Sequence, residues 1–264
     1  SLSWQDLQTL FSFIPIKNLS GVGMDLGAGT ALLSAAAIRR FPSIKKLYAI
    51  EIVDGYPNKI IPKVADELLG QSSAKIIPVI GSFDDIELPN NSIDFAIEIH
   101  SLHHSHDLNT TLSEVYRVLK PGGRLICLDR SHPNSYTEEQ RTKALNTEYS
   151  KEFLKNNGYP LDVKMTRKDN GEHEHRIGEW NNYFSFNGFS VNKIKFACKP
   201  RKLRWLLIHS LALIPLKYRK YFGKKMSSIP RSGLDVYLRT LRKESEVFKR
   251  DYTIFVCEKN QKHG

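Results

Sequence analysis

The densest run of chemically capable side chains is Glu98-Ile99-His100-Ser101-Leu102-His103-His104-Ser105-His106-Asp107. Imidazole exchanges protons near neutral pH, so this run suits general acid–base work. His132, Tyr136, His173 and His175 extend the set in later polar stretches. Seven of the nine histidines would then border one cleft. Three readings of them compete. In the first, His103, His104 or His132 takes a proton from an acceptor hydroxyl. In the second, several histidines bind a divalent metal, which the His/Glu/Asp mixture permits. In the third, His103 and His104 merely cap or pack the next helix. No metal ligand is assigned. Tyr136, His173 and His175 are expected to touch substrate, because their segments read as polar loops, where binding residues concentrate.

Such residues need a scaffold, and the pattern around them supplies one. Val22–Leu26, Lys46–Val53, Ala74–Ile80, Ile93–Ile99 and Arg124–Asp129 read as short apolar strands. Thr30–Arg40, Pro57–Leu69 and Asp107–Leu119 read as helices between them, with Lys120-Pro121-Gly122-Gly123 as a turn. This alternation predicts β-α-β units and a parallel sheet covered on both faces. The histidine run then leaves the carboxyl end of the fourth strand, the edge at which open α/β sheets bind ligands. Residues 3–14 read as a short amphipathic helix, Thr137–Asn157 as one long polar helix, and Arg176–Phe186 as another helix. Ser190–Cys198 and Asp251–Glu258 read as two late strands.

The first strand ends in Asp25-Leu26-Gly27-Ala28-Gly29-Thr30-Ala31. A strand, a Gly-x-Gly turn and a helix make a nucleotide-type site, because glycine lets backbone approach a ligand closely. A dinucleotide fingerprint needs a further glycine where Leu32 stands, and no P-loop lysine follows. Asp25 would repel a pyrophosphate but attract an ammonium. That favours S-adenosylmethionine, which has an ammonium, a sulfonium and no phosphate. Glu51, ending the second strand, is placed to accept both ribose hydroxyls. Gly81-Ser82-Phe83 ends the third strand, where an adenine could pack on Phe83.

Asp25-Leu26-Gly27-Ala28-Gly29-Thr30, Glu51, Leu88-Pro89 with Ser92-Ile93-Asp94, Leu102-His103-His104 and Glu114-Val115-Tyr116-Arg117-Val118-Leu119-Lys120-Pro121-Gly122-Gly123-Arg124-Leu125 occur in that order. Over roughly residues 20–130 the chain resembles the class I S-adenosylmethionine-dependent methyltransferases, in particular the type 11 group. The resemblance implies a Rossmann-like, seven-stranded, mostly parallel sheet whose last strand is antiparallel. It implies that Gly27, Ala28 and Gly29 line the methionine part of the cofactor with Asp25 nearby. Glu51 would hold the ribose, Ile52 would lie against the adenine, and Ser82 and Phe83 would flank it. Glu98 and His100 would lie near the methionine and the transferable methyl. Ala31 stands where a third glycine is frequent, and Ser82 where an aspartate is frequent.

Charge is unevenly distributed. The net charge is +11, yet no acidic residue lies between Glu179 and Asp235, a stretch with twelve Lys and Arg. Elsewhere 27 basic residues face 28 acidic ones. The expected division is therefore a methyltransferase domain over 1–198 plus 250–264 and a basic helical insertion over 199–249. Around Trp205–Leu216 the insertion has cations flanking an apolar stretch, which suits an active-site lid, an anionic membrane surface or a nucleic acid. No apolar run reaches the roughly 20 residues that span a bilayer. The N-terminus does not read as a signal peptide. Cys127, Cys198 and Cys257 form no CxxC, which argues for a reducing, cytoplasmic setting, with peripheral membrane contact open.

The leading expectation is methylation of a small molecule or lipid-linked glycan, most naturally on oxygen. One rival is an RNA methyltransferase, although no RNA-binding module is evident. The other is a non-catalytic binding protein of the same fold.

Overall fold

The computed structural model describes residues 4, 7, 10, 11, 14, 16–132, 134–197 and 252–260. Its strands are β1 (Gly21–Leu26), β2 (Ile44–Glu51), β3 (Ile76–Ile80), β4 (Ile93–Ile99), β5 (Leu119–Asp129), β6 (Phe189–Ala197) and β7 (Tyr252–Lys259). They form one sheet in the order β3-β2-β1-β4-β5-β7-β6. β1 to β5 pair in parallel, while β7 runs antiparallel between β5 and β6. The expected mostly parallel seven-stranded sheet with an antiparallel last strand is therefore present. Its order reverses at β1/β4, which opens a crevice beyond their carboxyl ends.

Helices cover both faces, as the apolar strands require. On one face α1 (Leu32–Arg40) and α2 (Ile61–Leu69) bury Leu33, Ile38, Ile61 and Ala65 against Leu47, Phe95, Ile97 and Ile126. Leu7, Leu10 and Phe11, helical residues of the N-terminal segment, join this cluster. On the other face α3 (Leu108–Val118) and α6 (Ile177–Phe186) bury Leu112, Val115, Trp180 and Phe184 against Met24, Leu26, Leu125 and Phe255. Each such side chain removed from water stabilises the fold by about 1.5–3 kcal/mol.

The run around Arg117 has a structural role. Its guanidinium donates to the carbonyls of Ile86 (2.7 Å) and Leu88 (2.9 Å) and to Glu114, whose Oε2 accepts the Ile86 amide at 3.0 Å. The loop after β3 is thereby tied to α3 beside the crevice.

Three elements differ from the sequence expectation. Thr137–Asn157 is two helices, α4 (Glu138–Leu145) and α5 (Lys151–Asn156). Thr137 forms a capping box with Gln140, and Ser150 caps a second start by accepting the Phe153 amide. Between them the Tyr149 amide donates to the Met165 carbonyl at 2.9 Å, a pairing that a continuous helix would forbid. The Lys120–Gly123 turn lies inside β5, as a bulge with Gly122 at φ 76°. Residues 56–60 form a wide π turn that leads into α2. The proposed insertion over 199–249, Cys198 and most of residues 3–14 lie outside the described residues.

Candidate active site

The crevice beyond β1, β2 and β4 is a cleft of about 630 Å³. Its described lining includes Gly27 from the first turn, Glu51, Ile52 and Val53 after β2, and Ser82, Phe83 and Asp84 after β3. His100, Ser101, His104 and His106 line it after β4, and Tyr159 and Asn170 close it from the segment that follows β5.

Backbone geometry explains the glycine turn. Gly27 has φ 66°, and a Cβ there would lie 2.6 Å from the Ser101 Cβ. Gly29, at φ 52°, faces open space. Glu51 points back at this turn. Its Oε2 accepts the Gly29 amide at 2.8 Å and its Oε1 accepts the Val53 amide at 3.0 Å. Each oxygen keeps a further lone pair for a diol.

The electrostatics of the described lining disfavour a phosphate-rich ligand. The described lining holds two carboxylates, Glu51 and Asp84, and no lysine or arginine. A nucleoside with cationic substituents and no phosphate fits this donor set and the open turn at Gly29. S-adenosylmethionine is such a group.

Four cofactor candidates line the cleft besides Gly27 and Glu51: Ile52, Ser82, Phe83 and His100. The other four are not part of its lining, and of these Asp25 and Glu98 are buried. Asp25 is buried and accepts the Ser34 hydroxyl at 2.6 Å, tying β1 to α1. Burial pushes its carboxyl up to about 7, against the Ser34 hydrogen bonds. Ala28 donates its amide to the Ile50 carbonyl, and Gly29 contributes its amide to Glu51. Glu98 is wholly buried beneath the turn. The Ser82 hydroxyl is engaged locally, accepting the Asp84 amide at 3.0 Å.

Of the seven histidines expected at one cleft, three line it: His100, His104 and His106. His100 has φ 61°, rare for a side chain with a Cβ, and this bend turns it away from the strand. Burial pushes its imidazole down to about 3. His103 is buried instead, its Nδ1 2.7 Å from Asp129 Oδ1. Asp129 also accepts the amides of His103 (2.9 Å) and Arg130 (2.6 Å). This pair locks the Leu102–His104 turn onto the end of β5. Removing Asp129 strands a buried imidazole and two amides, so Asp129→Ala should lose about 3 kcal/mol of stability in a urea titration. Stability within 1 kcal/mol of wild type would show the pair to be inessential.

His132 and the later histidines lie apart from the cleft lining. His132 stacks on Tyr136, with ring centroids 3.8 Å apart, and its Nε2 bonds Glu174. His173 directs Nδ1 and its amide to the His103 carbonyl, at 3.1 and 2.9 Å. His175 packs between Trp180 and Tyr183, and burial pushes it down to about 4.

Several contributors escaped the sequence reading. Arg130 and Arg167 both bind Glu172, Arg167 also binds Glu174, and Tyr149 donates to Glu172. Asn170 is held at Oδ1 by the Tyr159 hydroxyl (2.9 Å), and its Nδ2 donates to the Tyr149 oxygen (3.1 Å). Its carbonyl lies 3.2 Å from His104 Nδ1. A carbonyl only accepts, so that nitrogen carries the proton and neutral His104 keeps a bare Nε2. Tyr159, Arg167, Asn170, Glu172 and Glu174 lie in the polar loop over 158–175, which has no periodic pattern. Among the described residues, no group of three or more His, Cys, Asp or Glu side chains is arranged to hold a metal ion.

The chain is similar to known proteins in sequence and in fold. Residues 24–127 match the type 11 family described as a methyltransferase domain. The chain is 43% identical over 53 residues to the uncharacterized protein YafE of Escherichia coli, covering 20% of this chain and 26% of that protein. It is 31% identical over 114 residues to demethylmenaquinone methyltransferase of Symbiobacterium thermophilum, covering 42% and 43%. The matches thus span less than half of these relatives' lengths. In fold, the chain is similar to geranyl diphosphate C-methyltransferase from Streptomyces coelicolor, whose crystal structure holds S-adenosyl-L-homocysteine. The TM-score is 0.55 at 14% identity, over 97% of this chain and 77% of that one. The glycine turn, Glu51 and the histidine turn after β4 all fall within residues 24–127, the stretch that matches the type 11 methyltransferase domain.

Proposed function

We propose that the chain moves the methyl group of S-adenosylmethionine to a hydroxyl of a small-molecule or glycan acceptor, with His104 as general base. The observation that carries this reading is the Asn170 carbonyl on His104 Nδ1, which leaves Nε2 unprotonated on a side chain lining the cleft. Partial burial and the neighbouring His103 ring hold the His104 imidazole below its ordinary range, so it is neutral at physiological pH.

S-adenosylmethionine, when bound, supplies a methyl group made electrophilic by its sulfonium. The residues of this chain do the rest. Glu51 would hold the ribose hydroxyls, Phe83 and Ile52 would flank the adenine, and the Gly27 turn would let backbone approach the methionine portion. His104 Nε2 accepts the acceptor's hydroxyl proton as the oxygen becomes nucleophilic. Tyr159 and Asn170 shield the cleft from the far side. Alignment of acceptor and donor supplies much of the acceleration in such transfers.

The test is incubation with methyl-labelled S-adenosylmethionine and extract from the native host, with and without nuclease. Label in a nuclease-resistant small molecule or glycan, joined through oxygen, is the expected product. Label in RNA would replace this reading with the RNA one, and label on carbon would reassign the nucleophile. Absence of turnover despite cofactor binding would favour a binding protein.

Among the described residues no helix is long and apolar enough to cross a membrane. The basic segment, by composition, supports docking to an anionic surface where a lipid-linked acceptor would lie. Sedimentation with anionic liposomes should carry down the full chain and leave behind a variant lacking residues 200–225. Equal recovery of both in the supernatant would reject membrane docking.

A further inference from the structure

Beneath the glycine turn lies a carboxyl group whose hydrogen bonds can be counted. Glu98, one residue before the end of β4, lies opposite Leu26 on one side and Cys127 on the other, and it is fully buried. Its Oε2 lies 3.1 Å from the Ser101 amide and 3.0 Å from the Ser101 hydroxyl. Its Oε1 has no hydrogen-bond partner. The Ser101 hydroxyl also lies 2.7 Å from the Leu26 carbonyl.

A serine hydroxyl carries one proton. The Leu26 carbonyl has none to offer and makes the shorter contact, so it takes the Ser101 proton. The contact between Ser101 Oγ and Glu98 Oε2 then needs a proton from Glu98. An ionised carboxylate would instead set lone pair against lone pair and leave a buried, unpartnered anionic oxygen at Oε1, which is costly in a protein interior.

We propose that Glu98 is a positioning residue that works as a neutral carboxylic acid, its proton holding Ser101 against Gly27 and so shaping the turn that receives the cofactor. The chain of contacts runs Glu98, Ser101, Leu26 carbonyl and Gly27. Ser101 is the group a Cβ on Gly27 would strike, so its placement sets the floor of the turn.

The surroundings keep Glu98 protonated. Burial, followed by the charge of Asp129, pushes its carboxyl up to about 8, against hydrogen bonds from the Cys127 thiol and the Ser101 amide. Burial also raises the thiols of Cys127 and Cys257, which stay neutral. Burial works against ionisation of Asp129 too, but its contacts with His103 and with the Arg130 amide bring it down to about 2. The charge that bears on Glu98 is that of Asp129, which is negative and opposes a second.

The proposal rests on the cofactor reading of the cleft and not on the acceptor. Two measurements test it. The first is carbon-13 carboxyl NMR of glutamate-labelled protein, with the Glu98 signal assigned by its loss in Glu98→Gln. One glutamate should remain protonated at pH 7 and titrate near 8. A Glu98 signal already ionised at pH 6 overturns the proposal, whether or not the protein binds cofactor. The second is calorimetric titration with S-adenosylmethionine. Glu98→Gln supplies a neutral donor of the same size. Wild type should lose affinity as the pH rises past 8; the variant should bind within about threefold of wild type at pH 7 and lack that decline. Glu98→Ala, leaving Ser101 unsupported, should bind roughly tenfold more weakly. If Glu98→Gln binds as poorly as Glu98→Ala, negative charge is what the site needs and the neutral-acid role fails. Should wild type bind no S-adenosylmethionine, the cofactor reading falls by itself, because the NMR titration still reads the Glu98 proton.

Discussion

Glu51→Ala is expected to weaken S-adenosylmethionine binding by about 100-fold while the protein stays folded. The carboxylate has two tasks in one place. It takes the Gly29 and Val53 amides, at 2.8 and 3.0 Å, and in the proposed reading its remaining lone pairs would meet the ribose diol. Hydrogen bonds to a charged group contribute about 1.5–3 kcal/mol each, and water refilling the cavity of an alanine variant returns part of that. Folding should survive because Glu51 lies at the carboxyl edge of its strand, beside the cleft, where water reaches the freed amides. Glu51→Gln should fall between, since an amide offers one accepting oxygen. Calorimetric titration with S-adenosylmethionine and with S-adenosylhomocysteine checks this, and both ligands should lose affinity alike because they share the ribose. An alanine variant within threefold of wild type would mean that the cleft does not grip a nucleoside through Glu51.

His104→Gln should lower kcat by about 100- to 10,000-fold, the usual worth of general acid–base catalysis. Cofactor affinity should stay unchanged, because the fold of the turn depends on His103 and Asp129 and not on the His104 ring. The pH profile separates a base from a mere contact. In wild type, activity should rise with pH along a limb whose midpoint lies below the ordinary imidazole value of 6.5, since the His104 imidazole is shifted downward. Protonated His104 has no lone pair at Nε2, so activity is lost on the acid side. The variant should lack that limb altogether. Asn170 sets the tautomer through its main-chain carbonyl, so Tyr159→Phe and Tyr149→Phe, which loosen Asn170, should reduce kcat more mildly with the limb retained. A His104→Gln variant with wild-type kcat for its acceptor would remove the base from the mechanism and leave alignment as the source of rate.

Much of the scaffold was legible in the chain, for a local reason. Apolar runs such as Ile93–Ile99, alternating with helices such as Leu108–Val118, pay for burial only when stacked as a covered parallel sheet. Asp107 caps its helix as its side chain suggests, and the Gly27 turn and Glu51 meet because adjacent parallel strands end side by side. These features depend on residue type and short spacing, which a sequence displays directly.

What folding alone decided is which of several equivalent side chains faces the ligand. His103 and His104 are neighbours of one type, yet one pairs with Asp129 across 26 positions and the other faces the cleft. The choice is made by the short turn at Leu102–His104 and by the end of β5, and neither is written in the histidines themselves. Asn170 reaches His104 across 66 positions, and Glu172 and Glu174 neutralise Arg130 and Arg167 from a loop with no periodic signal. Glu98 reads as a cofactor ligand in the chain and sits under the cofactor turn in the fold, because β4 alternates its side chains and ends one residue beyond it. Local pattern determines the elements, while the direction of a side chain at an element's end depends on what packs over it, and that is settled only in three dimensions.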